Sequence, residues 1–102
     1  MYIITTALYP NDKEKEVVNM QAKAMAKYPP DVSLGTVIVP AAVVATLKGI
    51  KVITIIEVKK GKLEDALASG TIRLAMFHDI QGYRYTMKTY MNLEEAMKTI
   101  GM

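Results

Sequence analysis

The residue types suited to chemistry are few in this chain, and one of them stands alone. His78 is the single histidine among 102 residues, and Asp79 follows it directly. A carboxylate beside an imidazole can orient it as a general base. Neighbouring residues of a helix point about 100° apart, so the two can meet only where a helix has ended. The plainer reading is a protonated histidine favoured by the dipole at a helix C-terminus, with Asp79 opening the turn.

Arg84 and Lys88 stand four residues apart in a segment of strand character, so they project from one sheet face beside Thr86 and Tyr90. There they could hold an anionic small molecule, with Arg supplying two parallel hydrogen bonds to a carboxylate. Arg84, Lys88 and Tyr90 are the candidate ligand-binding residues. Charges of this kind also protect an edge strand from pairing with another chain. Glu57 interrupts the apolar run that holds Ile53 and Ile55. An unpaired buried carboxylate is costly, so Glu57 must reach solvent or find a cation such as Arg84 or Lys88. Tyr83 and Tyr85 share the opposite face of the same strand, where Tyr85 could donate a proton or line an aromatic pocket. Packing with the hydroxyl at the rim is the commoner use of such residues. His78, Glu57 and Tyr85 are therefore the catalytic candidates.

Other chemistries lack their residues. The chain has no Cys, which removes disulfides, thiolate metal sites and cysteine nucleophiles. No Gly-rich phosphate loop, nucleophile elbow or metalloprotease helix occurs, and no motif calls for a cofactor or a metal. The net charge of +3 is spread over scattered lysines, and nucleic-acid binding would call for a denser basic face. The N-terminal segment lacks the pattern of a signal peptide, and the apolar run at 36–47 is short for a bilayer and broken by Pro40. The expectation is a soluble cytoplasmic protein without a membrane or nucleic-acid partner.

The elements that must position these residues can be read from periodicity. Residues 2–9 are strand-like and end at Pro10. Asn11 and Glu14 have the spacing of a capping box, opening a helix with Val17, Met20, Gln21, Ala24, Met25 and Tyr28 on one side. Residues 34–47 and 50–59 form two strands joined at Lys48-Gly49, and Pro40 consigns the first to a sheet edge or a bulge. A second helix follows Gly61, with Leu63, Ala66, Leu67, Gly70, Leu74 and Phe77 as its apolar stripe. Gly70 weakens it by about 1 kcal/mol unless close packing needs the missing side chain. A strand at 83–91 and a short helix opened by Asn92 and Glu95 complete the chain.

The strands within Thr36 to Val58 are apolar on both faces, the mark of a sheet covered on both sides. Two helices suffice for one face, and a second copy of the chain is the simplest cover for the other. The order β-α-β-β-α-β predicts a single ferredoxin-like α+β domain over 1–102. Its four-stranded antiparallel sheet has the order 4-1-3-2, with an extra C-terminal helix.

This order, the doubly apolar strands and the terminal part (Phe77, Gly82-Tyr83, Leu93-Glu94-Glu95-Ala96, Gly101) resemble the dimeric α+β barrel superfamily. The resemblance implies protomers packed sheet against sheet. Its members include cofactor-free monooxygenases, isomerases, haem enzymes and ligand-sensing modules, so fold alone leaves function open. A homodimeric small-ligand-binding or assembly module is the first expectation. A cofactor-independent monooxygenase or isomerase, with a pocket beside the sheet, is the alternative.

Overall fold

A computed structural model describes residues 1–101. The chain runs β1 (Tyr2–Tyr9), a 3-10 turn (Asn11–Lys13), α1 (Glu14–Lys27), β2 (Gly35–Thr46), β3 (Gly49–Val58), α2 (Leu63–Ala75), β4 (Arg84–Tyr90) and α3 (Leu93–Thr99). The strands form one antiparallel sheet in the order β2-β3-β1-β4. This is the expected 4-1-3-2 order read from the other edge, with an α+β ferredoxin-like layout and an added C-terminal helix.

β1 lies in the middle, pairing with β3 from Tyr2↔Glu57 to Tyr9↔Ile50 and with β4 from Tyr2↔Tyr90 to Leu8↔Arg84. Alternation along these registers sorts the residues into two faces. One carries Ile3, Thr5, Ala7 and Tyr9 of β1 with Ile50, Val52, Thr54 and Ile56 of β3, and it lies beneath the helices. The other carries Tyr2, Ile4, Thr6 and Leu8 with Lys51, Ile53, Ile55 and Glu57. Among the described residues neither α1 nor α2 packs on this second face, and its Ile4, Leu8, Ile53 and Ile55 are half-buried.

β2 is an edge strand, and its register against β3 slips between Val37 and Val39 and again between Val39 and Ala42. Pro40 sits in that irregularity, where a missing N–H removes no ladder bond. Its carbonyl accepts a hydrogen bond from the Thr54 hydroxyl at 3.2 Å. The turn that follows occupies Leu47-Lys48, and Gly49 opens β3 at φ 132° where a Cβ would collide with the Tyr9 carbonyl.

The two expected capping boxes fare differently. Asn92 accepts from the Glu95 N–H at 2.8 Å while Glu95 accepts from the Asn92 N–H at 2.9 Å, so α3 opens on a complete box. Asn11 does not cap α1. Pro10 holds the extended geometry in its place, Asn11 is already inside the 3-10 turn, and α1 starts at Glu14 without a side-chain cap. Asp12, Glu14 and Glu16 still place negative charge near the positive end of the dipole.

The densest packing is concentrated at the Tyr9 end of the sheet. Tyr9, Val17, Ala24, Ile50, Phe77 and Ile80 form the buried cluster, with Met20, Val52, Met76 and Tyr83 against it. Tyr83 stacks on Phe77 at 4.8 Å and on Tyr9 at 6.0 Å between ring centroids. Among the described residues no helix is long and apolar enough to cross a membrane.

Candidate functional site

The helices do not close over their face of the sheet. Away from the aromatic cluster, α1, α2 and the sheet line a cavity of about 860 Å³ that opens to solvent. This corrects the expectation that two helices would fill that face. The volume lies within the range of small-molecule sites, roughly 300–1,000 Å³.

Its floor is the helix-facing side of β1, β3 and β2: Ile3, Thr5, Ala7, Val52, Thr54, Ile56, Val37 and Val43. Its roof comes from α1 (Val17, Val18, Gln21, Met25) and α2 (Ala66, Ser69, Gly70, Arg73, Leu74). On the β2 side the cavity is open, and Val43 there keeps 64% of its surface exposed. A Cβ at Gly70 would lie 2.9 Å from the Met87 sulfur, so the one side chain that must give way is a flexible methionine on the cavity wall.

The polar groups in this apolar space are few. Thr5 and Thr54 face each other across the β1–β3 ladder on the floor. On the roof, Arg73 follows Gly70 by three residues and Ser69 by four, so all lie on the side of α2 that meets the sheet. The Arg73 Nε donates to the Tyr28 carbonyl at 3.1 Å, and one terminal nitrogen donates to the Ser69 hydroxyl at 3.3 Å. Arg73 thereby ties α2 to the C-terminal end of α1. Lys59 and Asp31 also line the cavity. Hydrogen bonds from the Ser33 side chain and backbone hold the exposed Asp31 carboxyl below the usual range, with the Lys62 and Lys59 charges adding to the effect.

The candidates expected from sequence lie elsewhere. His78 falls just beyond α2, and its Nε2 is 2.8 Å from the Tyr85 hydroxyl with the two rings stacked at 5.8 Å. The structure thus brings together two of the catalytic candidates, but with Tyr85 in place of Asp79 as the partner. His78 is exposed, and neither ring lines the cavity. Tyr83, next along the cluster, has its phenol pushed up to about 12 by burial, then by the neighbouring Tyr9 and Tyr85.

Glu57, Arg84, Lys88 and Tyr90 all project from the uncovered sheet face and are exposed. Glu57 shares a cross-strand row with Tyr2 and Tyr90, whereas Arg84 shares one with Leu8 and Lys51. Those rows are six residues apart along the strands, about 20 Å. Glu57 and Arg84 therefore form no cluster within the chain, and Lys88 is two strands away from Glu57 in the adjacent row of that face. Among the described residues no group of three or more His, Cys, Asp or Glu side chains gathers for a metal ion.

No protein-family model matches this chain, and no curated protein matches it. Among solved structures, a formyltetrahydrofolate deformylase from Pseudomonas putida KT2440 aligns over 87% of this chain and 28% of its own, with 8% identity and a TM-score of 0.48. The chain thus spans little more than a quarter of that protein's length, and at this identity and score the likeness carries no functional argument.

Proposed function

We propose that the protein is a small-ligand-binding module whose ligand occupies the cavity between the helices and the sheet. One observation carries this reading: a cavity of about 860 Å³ whose mostly apolar walls carry a few inward polar groups on floor and roof. An apolar recess of this size, open on the β2 side and carrying a few convergent polar groups, has the volume and lining expected of a small-molecule site.

The same reading includes a homodimer of the dimeric α+β barrel kind, formed through the uncovered sheet face. Ile4, Leu8, Ile53 and Ile55 supply its apolar centre. The ends of the face differ in charge, Glu57 at one and Lys51 with Arg84 at the other. A two-fold axis lying across the strands would bring Glu57 of one copy over Arg84 and Lys51 of the other. Arg84 and Lys88 then serve the assembly rather than a ligand.

A catalytic reading, a cofactor-independent monooxygenase or isomerase, has the His78–Tyr85 hydrogen bond in its favour. That pair lies outside the cavity and in contact with solvent, which is why binding without chemistry is preferred.

Native mass spectrometry of freshly purified protein tests the proposal. The expected result is a dimer carrying extra mass that denaturation releases, or one that takes up an added apolar ligand. A monomer would refute the assembly, and a protein that retains and accepts no ligand would refute the binding role.

A further inference from the structure

We propose that the ligand is an amphipathic anion, an apolar body ending in a carboxylate, and that Arg73 holds the carboxylate. This rests on reading the cavity as a ligand site, and it names the chemistry that fits there.

Guanidinium carries five N–H donors. In Arg73 the Nε–H and one terminal N–H are engaged, by the Tyr28 carbonyl and the Ser69 hydroxyl. The remaining donors belong to a half-buried group on the cavity wall, and among the described residues no carboxylate lies within ion-pairing distance of it. Charges that leave water are ordinarily paired. A carbonyl and a hydroxyl satisfy two donors and leave the positive charge uncompensated. A carboxylate entering the cavity would meet donors whose direction is already set, since the Tyr28 and Ser69 bonds fix the guanidinium plane.

The rest of the cavity selects the body of the ligand. Val17, Met25, Val52, Ile56, Leu74 and Met87 offer no charge and Thr5 and Thr54 add only neutral hydroxyls, so the body of the ligand is mainly hydrocarbon or aromatic. Lys59 is the other cation on the wall, but it is exposed and its charge acts partly on Asp31. A ligand anion held by Lys59 alone would be solvated and weakly bound. Of the two cations on the wall Arg73 is the more buried, and among the described residues no carboxylate pairs with it.

Fluorescence titration with 11-(dansylamino)undecanoate and with its methyl ester tests the assignment, because the two share an apolar body and differ in the charged end. The acid is expected to bind roughly ten- to a hundredfold more tightly, the range of one charge-assisted contact in a sheltered site. Arg73→Met should abolish that preference while leaving ester binding in place, which also shows that the variant is folded. Arg73→Lys should keep part of the preference, and Lys59→Ala should keep all of it. Equal binding of acid and ester to the unaltered protein would overturn the anion assignment and leave the cavity reading intact. Binding of neither would overturn both. A preference lost in Lys59→Ala yet kept in Arg73→Met would move the anion site away from Arg73 and refute the assignment. Should Arg73→Met fail to fold, the acid-to-ester ratio of the unaltered protein and the Arg73→Lys and Lys59→Ala results still decide.

Discussion

Gly70→Ala is the substitution whose sign reports most directly on whether the space under the helices is open. Gly70 lies inside α2, where alanine is favoured over glycine by about 1 kcal/mol. The added methyl group would meet the Met87 sulfur at 2.9 Å, with the Met87 terminal methyl carbon at 3.9 Å. That sulfur must shift, and a displaced thioether costs about 0.5–1.5 kcal/mol if its rotamer is strained. Met87 lines the cavity, so it has empty volume to move into and need not strain. The expected result is a net gain of about 0.5–1 kcal/mol. At an m-value near 1.5 kcal/mol/M this raises the urea midpoint by about 0.5 M, and the melting temperature by roughly 4 °C. Protein concentration must be held fixed, since the apparent stability of the proposed dimer would depend on it. A loss of about 1 kcal/mol or more would refute the reasoning. It would mean that Met87 is locked as in a close-packed core, where an added methyl group destabilises, and that no open cavity exists.

Three other outcomes follow from the geometry. Gly49→Ala should destabilise by about 1–3 kcal/mol in a thermal melt, because a φ of 132° is costly for any L side chain and the new Cβ would strike the Tyr9 carbonyl. Ile55→Asp should abolish the proposed dimer or the solubility of the protein in size-exclusion chromatography, and a soluble dimer of normal size would contradict the buried-face reading. Alkaline unfolding should be steep between about pH 10 and 12. Tyr83 keeps its proton to about 12 in the folded chain, whereas the unfolded chain releases it near 10, so stability is intact below 10 and falls as pH rises through that window. The gap sets a ceiling of about 2.7 kcal/mol, which partial exposure reduces to roughly 1–2 kcal/mol. Tyr83→Phe should flatten the slope, as followed by circular dichroism.

Much of the fold was legible because its signals are local. Strand order follows from the βαββαβ succession and the handedness of crossovers. Pro40 declares an edge strand through its missing donor, and Asn92 with Glu95 declares a helix start because both side chains bond within one turn. Asn11 and Glu14 have the same spacing, but the preceding Pro10 holds the backbone of that turn and displaces the cap. The His78–Tyr85 pairing depends on how the turn after α2 approaches β4, which periodicity does not reveal. The cavity was hidden for a different reason. Apolar stripes on α1 and α2 show that they face the sheet, but not how far apart they stand on it. Arg73 did leave a trace, as the one charged residue set among Gly70, Leu74 and Phe77 on the inward side of α2. Thr5 and Thr54 left another, though only the β1–β3 register shows that they are partners.

The central claim is that a ligand occupies the space between the helices and the sheet, and the methionines report on it directly. Met25 and Met87 line the cavity, whereas Met91 and Met97 do not. A carbon–proton spectrum of the methionine methyl groups, recorded without and with saturating 11-(dansylamino)undecanoate, should show large ring-current shifts for Met25 and Met87 and unchanged positions for Met91 and Met97. Shifts confined to Met91 and Met97, or no shifts at any methionine, would contradict it.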